Sequence, residues 1–281
     1  MFVFNKSKLN NVLFKNQNGF LTQLSSPEVN YDFTKEGLRE LLKKQNIFGA
    51  RWWSDFDNCN EKKWWHVVKK KTSGISEYSK KTRNQIRRGI KHYFIKEIEK
   101  KDYSETLYEI YLKVFNEYNT HEQPDSKNEF MTFLRNSDET HQIWGVYDRE
   151  NGSLVGFAEC VIDMNFCLLN SFWILKDSQK NYAAYALIYE LIQYYLVEHN
   201  FNYFSDGCRQ ISHDTNVHNF FMDKFNFEKS YCSLNVLYKN KLTKNILSAL
   251  IIFSPLIEII KTDFFRKLKV LITLEKYNSF K

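Results

Sequence analysis

A chain of 281 residues, 43% hydrophobic and 26% charged, is long enough for one large domain or two small ones, and its 3 Pro and 9 Gly exclude long disordered linkers. The 5 cysteines are scattered and never spaced as CxxC, which excludes a zinc ribbon or a disulfide framework and favours a reducing cytoplasm. A formal net charge of +7 favours an anionic partner, such as a nucleotide cofactor, a pyrophosphate-linked lipid, nucleic acid or an acidic membrane face, without choosing among them, while the start Met1-Phe2-Val3-Phe4-Asn5-Lys6 lacks the apolar stretch of a signal peptide.

The N-terminal stretch reads as short strands around one helix near Lys35–Gln45, with Leu38, Leu41 and Leu42 on one side and Thr34 as its cap. Trp52, Trp53, Trp64 and Trp65 then come as two pairs about a turn at Asp55–Asn60; they read as strand cores, or alternatively as an aromatic platform for a sugar or base. The most basic stretch follows, from Lys69 to Lys91. Ser76 or Ser79 starts a helix in it, on which Lys80, Arg83, Arg87 and Lys91 recur at spacings of three and four and share a face. Such a face is either simply solvated or an anion site, because repelling cations become favourable once phosphates neutralise them.

Beyond it the pattern becomes regular. A strand is expected at Phe94–Ile98, and a helix at Ser104–Tyr118, where Leu107, Ile110, Tyr111, Val114 and Phe115 keep helical spacing. A second helix follows Pro124 over Asp125–Arg135. Three strands are then expected, Gln142–Tyr147, Leu154–Asp163 and Phe166–Leu175, with turns at Asn151-Gly152 and Met164-Asn165. A long helix at Tyr182–Glu198, a strand at Asn202–Ser205, a short helix at Thr215–Lys224 and a strand pair, Phe227–Lys229 and Ser233–Tyr238, complete the order. This succession predicts an α/β fold with a mixed sheet, which gathers ligands at the carboxyl ends of its strands.

That order resembles the GNAT (Gcn5-related N-acetyltransferase) fold, and local stretches carry the likeness. Leu154-Val155-Gly156-Phe157-Ala158 is similar to the family's strand with an xVG motif. Gln179-Lys180-Asn181-Tyr182-Ala183-Ala184 resembles the acyl-CoA loop Q/R-x-x-G-x-G/A at its first and last positions, with Tyr182 where the family has glycine. Asn216 through Phe227 is similar to the closing N-x-x-A…K-x-G-F, with Asn226 in place of the glycine, and the family's frequent general-acid tyrosine falls near Met222. Upstream, Tyr78 to Gly89 resembles the S-x-x-x-R-x-x-I-R pattern of Fem-like acyltransferases and of GNAT proteins of surface-polysaccharide loci. The likeness covers about residues 75–240.

The resemblance implies acetyl-CoA, or another acyl-CoA, as cofactor. Its pyrophosphate is expected on the loop and helix start Gln179, Lys180, Asn181, Tyr182, Ala183 and Ala184, with Asn216 beyond, and its pantetheine arm along the main chain of Phe172, Trp173, Ile174 and Leu175. A tyrosine resists the turn that glycine permits, so a positive φ at Tyr182 would put that binding in doubt. Amine acylation needs a base, for which Glu159 ranks first and Asp206 second, with His213 assisting. Glu159 lies in an apolar strand, either on its wet face or with a raised pKa. Asp206 opens Asp206-Gly207-Cys208-Arg209 at a strand end, where it is either a base or a turn residue. Anionic substrate falls to Lys80, Arg83, Arg87, Lys91 and Arg209, and the spacing of His213 and His218 is not that of a metal site.

The tail from Ile246 to Ile260 is very apolar, and Phe264–Leu274 mixes apolar and basic residues. It reads either as packed helices or as an interfacial amphipathic anchor that suits a lipid-linked sugar. The expectation is thus an N-terminal mixed region over 1–75, a GNAT-like domain over 76–240 and a helical tail over 241–281. The chain is expected to act in the cytoplasm, peripheral to the membrane's inner face, as an acyl-CoA-dependent N-acyltransferase of an amine such as an amino sugar of surface-polysaccharide synthesis. A Fem-like transferase using aminoacyl-tRNA and an inactive GNAT-like binding protein are the alternatives.

Overall fold

The computed structural model describes residues 6–9, 12–17, 19–31, 34–99, 103–117, 123–137, 139–211, 216–254 and 262–280. In chain order the elements are β1 (Lys6–Leu9), β2 (Val12–Gln17), β3 (Phe20–Gln23), α1 (Lys35–Lys44), β4 (Gly49–Ser54), β5 (Trp64–Lys69), α2 (Lys80–His92), β6 (Tyr93–Glu97), α3 (Ser104–Phe115) and α4 (Lys127–Asn136). Then come β7 (His141–Asp148), β8 (Leu154–Asp163), β9 (Phe166–Ile174), the short α5 (Lys176–Gln179), α6 (Ala183–Ile192), β10 (Tyr203–Cys208), α7 (Val217–Phe225), β11 (Glu228–Tyr238), α8 (Lys241–Leu250) and α9 (Asp263–Tyr277).

The chain divides into two compact units that draw on non-contiguous stretches and do not coincide with breaks at 75 and 240. The first holds Val67–Gly207 and His218–Glu228. Its strands lie in the order β10-β9-β8-β7-β6; β10 runs parallel to β9, and the other pairs are antiparallel. Alternation along the strands covers both faces. Phe157 of β8 and Trp173 of β9 reach Phe130 of α4 and Tyr111 of α3, whereas Phe172 of β9 meets Phe221 of α7 on the other side. On that second side α6 buries Ala183, Ala186, Leu187, Ile188, Leu191 and Ile192. The helix α3 starts at Ser104 as expected, and α4 starts two residues after the expected Asp125, where Ser126 with Glu129 makes a full capping box.

The second unit holds Asn5–His66, Cys208–Val217 and Lys229–Lys281, with strands ordered β1-β2-β3-β4-β11. Thr34 caps α1 by accepting from the Gly37 amide, as the sequence predicts. Leu38 and Leu42 then bury against Val12, Phe14, Leu21, Ile47, Ala50, Trp52 and Leu237. Trp52, Trp53 and Trp64 are buried, and the rings of Trp53 and Trp64 stack 6.2 Å apart, so these three are core rather than a platform for a sugar or base.

Some expectations are corrected. The strand pair expected after α7 is the single strand β11, since Ser230-Tyr231-Cys232 holds no Gly, Pro, Asn or Asp to turn the chain. The long helix keeps regular α geometry only to Ile192 and continues as a π-helical turn over Gln193–Glu198. The tail carries α8 and α9; Leu256, Ile257, Ile259 and Ile260 lie outside the described residues. Among the described residues no helix is long and apolar enough to cross a membrane.

Candidate acyl-transfer site

The first unit's sheet opens where β9 and β10 part. Phe166, Cys167 and Leu168 pair with Tyr203, Phe204 and Ser205. Beyond Leu168 the described pairings of β9 are with β8 alone, so the edge of Leu169–Ile174 that faces β10 leaves main-chain donors and acceptors for an extended ligand. A β-bulge marks the same place: Glu159 opposes Ser171 and Cys160 opposes Leu169, which leaves Asn170 as the extra residue. Phe172, Trp173 and Ile174 thus lie on that open edge, and Leu175 follows it, its amide bonded to the Val155 carbonyl.

Glu159 is fully buried rather than on a wet face. Its Oε1 lies 3.0 Å from His141 Nδ1, and its Oε2 accepts from Asn170 Nδ2 at 2.8 Å and from Ser171 Oγ at 3.4 Å. Trp173 Nε1 donates to the same Ser171 Oγ at 3.3 Å. The carboxylate therefore ties the bulge of β9 to β7 on the α3–α4 side of the sheet. A buried carboxylate with so many partners is held firmly in place.

At the end of β9 the chain turns into α6 through the predicted loop. Gln179 Nε2 donates to the Ile174 carbonyl at 3.1 Å, and Lys180 pairs with Asp177 at 2.8 Å in solvent. Tyr182 takes the left-handed conformation, φ 65° and ψ 34°, that a glycine would adopt here. Its carbonyl accepts from the Tyr185 and Ala186 amides, while Ala183 and Ala184 open the helix with amides that intrahelical geometry leaves without an acceptor. The expected conflict at Tyr182 is met by packing. The Arg88 guanidinium sits 4.9 Å over the Tyr182 ring, and α2 approaches so closely that a Cβ on Gly89 would stand 2.5 Å from the Tyr182 carbonyl oxygen. Tyr93 OH adds a bond to the Ser178 carbonyl at 3.3 Å. A left-handed tyrosine costs about 1–2 kcal/mol, and cation–π stacking returns about 0.5–1 kcal/mol of it.

Of the basic face, Lys80, Arg87 and Lys91 are exposed, and Ser79 caps the helix. Arg83 is instead turned back, its Nη1 donating to the Tyr78 carbonyl at 2.7 Å. Thr82, Ile86 and Gly89 form the buried stripe, so Arg88 beside it is the cation brought to the loop. Arg209 belongs to the second unit, where its guanidinium is sandwiched 4.5 Å from both Trp65 and Tyr277 and bonds the Lys63 carbonyl at 2.7 Å. Asn216 is exposed just before α7. His213 lies outside the described residues, and α7 carries Met222 and no tyrosine.

Asp206 stands on β10 beyond its last pair with β9, and its Oδ2 is 2.8 Å from His218 Nδ1 near the start of α7. Burial pushes the Asp206 carboxyl up to about 6, opposed in part by the His218 hydrogen bond. A histidine whose Nδ1 faces a carboxylate has the arrangement of an oriented general base. His218 and Arg88 are the members that sequence reasoning left out of the site. Their signals were present, a histidine twelve residues after the strand-end Asp206 and an arginine next to Arg87 of the basic face, but only the fold closes those distances.

Residues 104–227 match the model of the Acetyltransferase (GNAT) family. FemX shares 10% identity, with 78% of this chain covering 81% of that one at a TM-score of 0.52. L-PGS from Bacillus licheniformis shares 11% over 82% of this chain and 81% of its own, at 0.49. The tandem GNAT protein from the clavulanic acid biosynthesis pathway shares 8% over 82% and 78%, at 0.42. No curated protein matches the chain. The GNAT family match thus covers residues 104–227, and the chain shares its mixed α/β fold with FemX.

Proposed function

We propose that the protein is an acyl-CoA-dependent N-acyltransferase and that Asp206 and His218 form its acid–base pair. The observation that carries this reading is the open edge of β9 leading into a left-handed turn at the start of α6. The residues fit the cofactor: Leu169–Ile174 offer main-chain bonds to a pantetheine arm, the first amides of α6 suit a pyrophosphate, and Arg88 adds a cation beside them. Acetyl-CoA, when bound, supplies an activated thioester acyl group. Asp206 holds the His218 tautomer, and His218 Nε2 takes the proton of the acceptor ammonium, leaving the amine lone pair for attack. Glu159 keeps the bulge, and hence the open edge, in register.

The acceptor in this reading is an amino sugar of surface-polysaccharide synthesis. Exposed Leu242, Ile246 and Phe253 support a membrane-peripheral location and a lipid-linked form of that sugar. Thiol release from acetyl-CoA, measured across a panel of amino sugars, tests the reading. Turnover that vanishes in Asp206→Asn supports it, and turnover unchanged in that variant refutes the assignment of the pair.

A second reading rests on α2, where Lys80, Lys81, Arg87 and Lys91 are exposed with no ion pair among the described residues. An aminoacyl-tRNA donor would use that face. Binding of tRNA that weakens steeply with salt, together with no binding of acetyl-CoA, would favour it.

A further inference from the structure

The second unit contains a cavity of about 260 Å³ that the acyl-transfer site does not use. Lys35 and Arg39 of α1 line it, as do Lys241 and Lys244 of α8, and the end of β11 from Val236 to Tyr238, Asn240, Asn245 and Phe280 complete it. No carboxylate belongs to the lining. Each pair of cations lies on adjacent turns of its helix, so both walls carry neighbouring positive charges, which an anion between them would relieve. Of the nearby acids, Glu36 and Glu40 are exposed, and Glu275 accepts from Ser248 and Asn278 behind the lining residue Tyr238.

Partial anchoring fixes the geometry of the walls. Lys244 Nζ donates to the Phe280 carbonyl at 3.2 Å, and Lys35 Nζ sits 4.9 Å over the Phe280 ring. The Nε of Arg39 is buried and has no hydrogen-bond partner among the described residues. Such a donor is unfavourable without an acceptor. Lys241 and Lys244 also stand in the first two turns of α8, where the helix dipole disfavours positive charge and no side chain caps the end. A bound oxyanion answers each of these features.

We propose that this cavity binds a phosphate-bearing small group, a phosphosugar or glycerophosphate headgroup. Its volume lies below the roughly 300–1,000 Å³ of pockets for drug-sized molecules, which suits a headgroup rather than a whole dinucleotide. Outside the cavity, Leu242, Ile246 and Phe253 are exposed on α8 and the turn that follows it, so the phosphate has two sources, a free metabolite or a lipid at a membrane surface.

The test titrates the full chain with glycerol 3-phosphate by calorimetry and, in parallel, sediments it with phosphatidylglycerol or phosphatidylcholine vesicles. The variants are Arg39→Gln with Lys241→Gln, and Lys241→Gln alone, which changes one exposed side chain. Far-UV circular dichroism checks folding, and Arg88→Gln serves as the control for the other anion site. Affinity for glycerol 3-phosphate should fall at least tenfold in the double variant, by a smaller factor in Lys241→Gln and not in Arg88→Gln. Co-sedimentation with phosphatidylglycerol that falls in the same variants assigns the site to a lipid headgroup. A fall confined to the soluble ligand assigns it to a free phosphate. Equal affinity in all variants, or loss through Arg88→Gln alone, overturns the proposal.

Discussion

Replacing Asp206 with Asn separates stability from activity in a way that follows from one buried carboxyl. Burial raises its pKa from 3.8 to about 6, which means the folded chain holds the proton more tightly than the unfolded chain. Stability from this group is therefore fully present below the unfolded value and is lost as pH rises through about 6. Above that pH the ionised carboxyl costs about 3 kcal/mol relative to its protonated form. Asparagine keeps an oxygen to accept from His218 Nδ1 and never ionises. The variant should gain up to about 3 kcal/mol over the parent at pH 7, roughly 1 M in urea midpoint, and its advantage should shrink toward zero at pH 4. Activity should fall by about 10²–10⁴-fold, because the group that orients the base has lost its charge. Urea titrations from pH 4 to 8 check the stability arm. An Asp206→Asn variant less stable than the parent at pH 7, or a gain independent of pH, would refute the claim that the carboxyl is desolvated.

Other expectations follow from the same geometry. In the parent chain, an acyl-transfer rate should rise with pH through about 6 as Asp206 ionises, and the pH–rate profile of Glu159→Gln should keep that limb while its KM rises. Glu159→Ala leaves His141 and Asn170 facing a void and should destabilise the fold by about 3 kcal/mol in urea melts. Gly89→Ala forces α2 off the loop, because its Cβ would meet the Tyr182 carbonyl at 2.5 Å; stability should drop by about 1–3 kcal/mol, and cofactor affinity should fall with it. Tyr182→Gly relieves the left-handed backbone but loses the Arg88 stack, so thermal unfolding should move little and acetyl-CoA affinity should persist.

Local chemistry made much of the first unit legible. The helical spacing of Leu107, Ile110, Tyr111 and Val114 and the turn at Asn151-Gly152 put elements within a few residues of their observed bounds. A helix start at Ser76 or Ser79 was readable for the same reason, and it is Ser79 that satisfies the Thr82 amide. Readings that depended on which face a residue takes were harder. Glu159 sits in an apolar strand in either reading, and only the partners from β7 and the bulge of β9 decide that it is buried and held. Tyr182 breaks a glycine pattern in the sequence, yet its backbone adopts the glycine conformation because Arg88 and Gly89, nearly a hundred residues earlier, pack against it. The pairing of Asp206 with His218 is likewise a product of where α7 starts. Arg209, grouped with the anion-binding residues by charge, has its guanidinium committed to Trp65 and Tyr277.

The central claim is that the open edge of β9 and the start of α6 receive an acyl-CoA. Calorimetric titration of acetyl-CoA into the full chain and into Ala184→Asp tests it most directly. An aspartate in the first turn of α6 favours the helix dipole, so the fold is kept, while its charge repels a pyrophosphate at the same amides. Saturable binding to the parent chain is expected, with a loss of at least tenfold in affinity for Ala184→Asp at unchanged circular dichroism. Equal binding by both proteins, or none by the parent at millimolar cofactor, would contradict it.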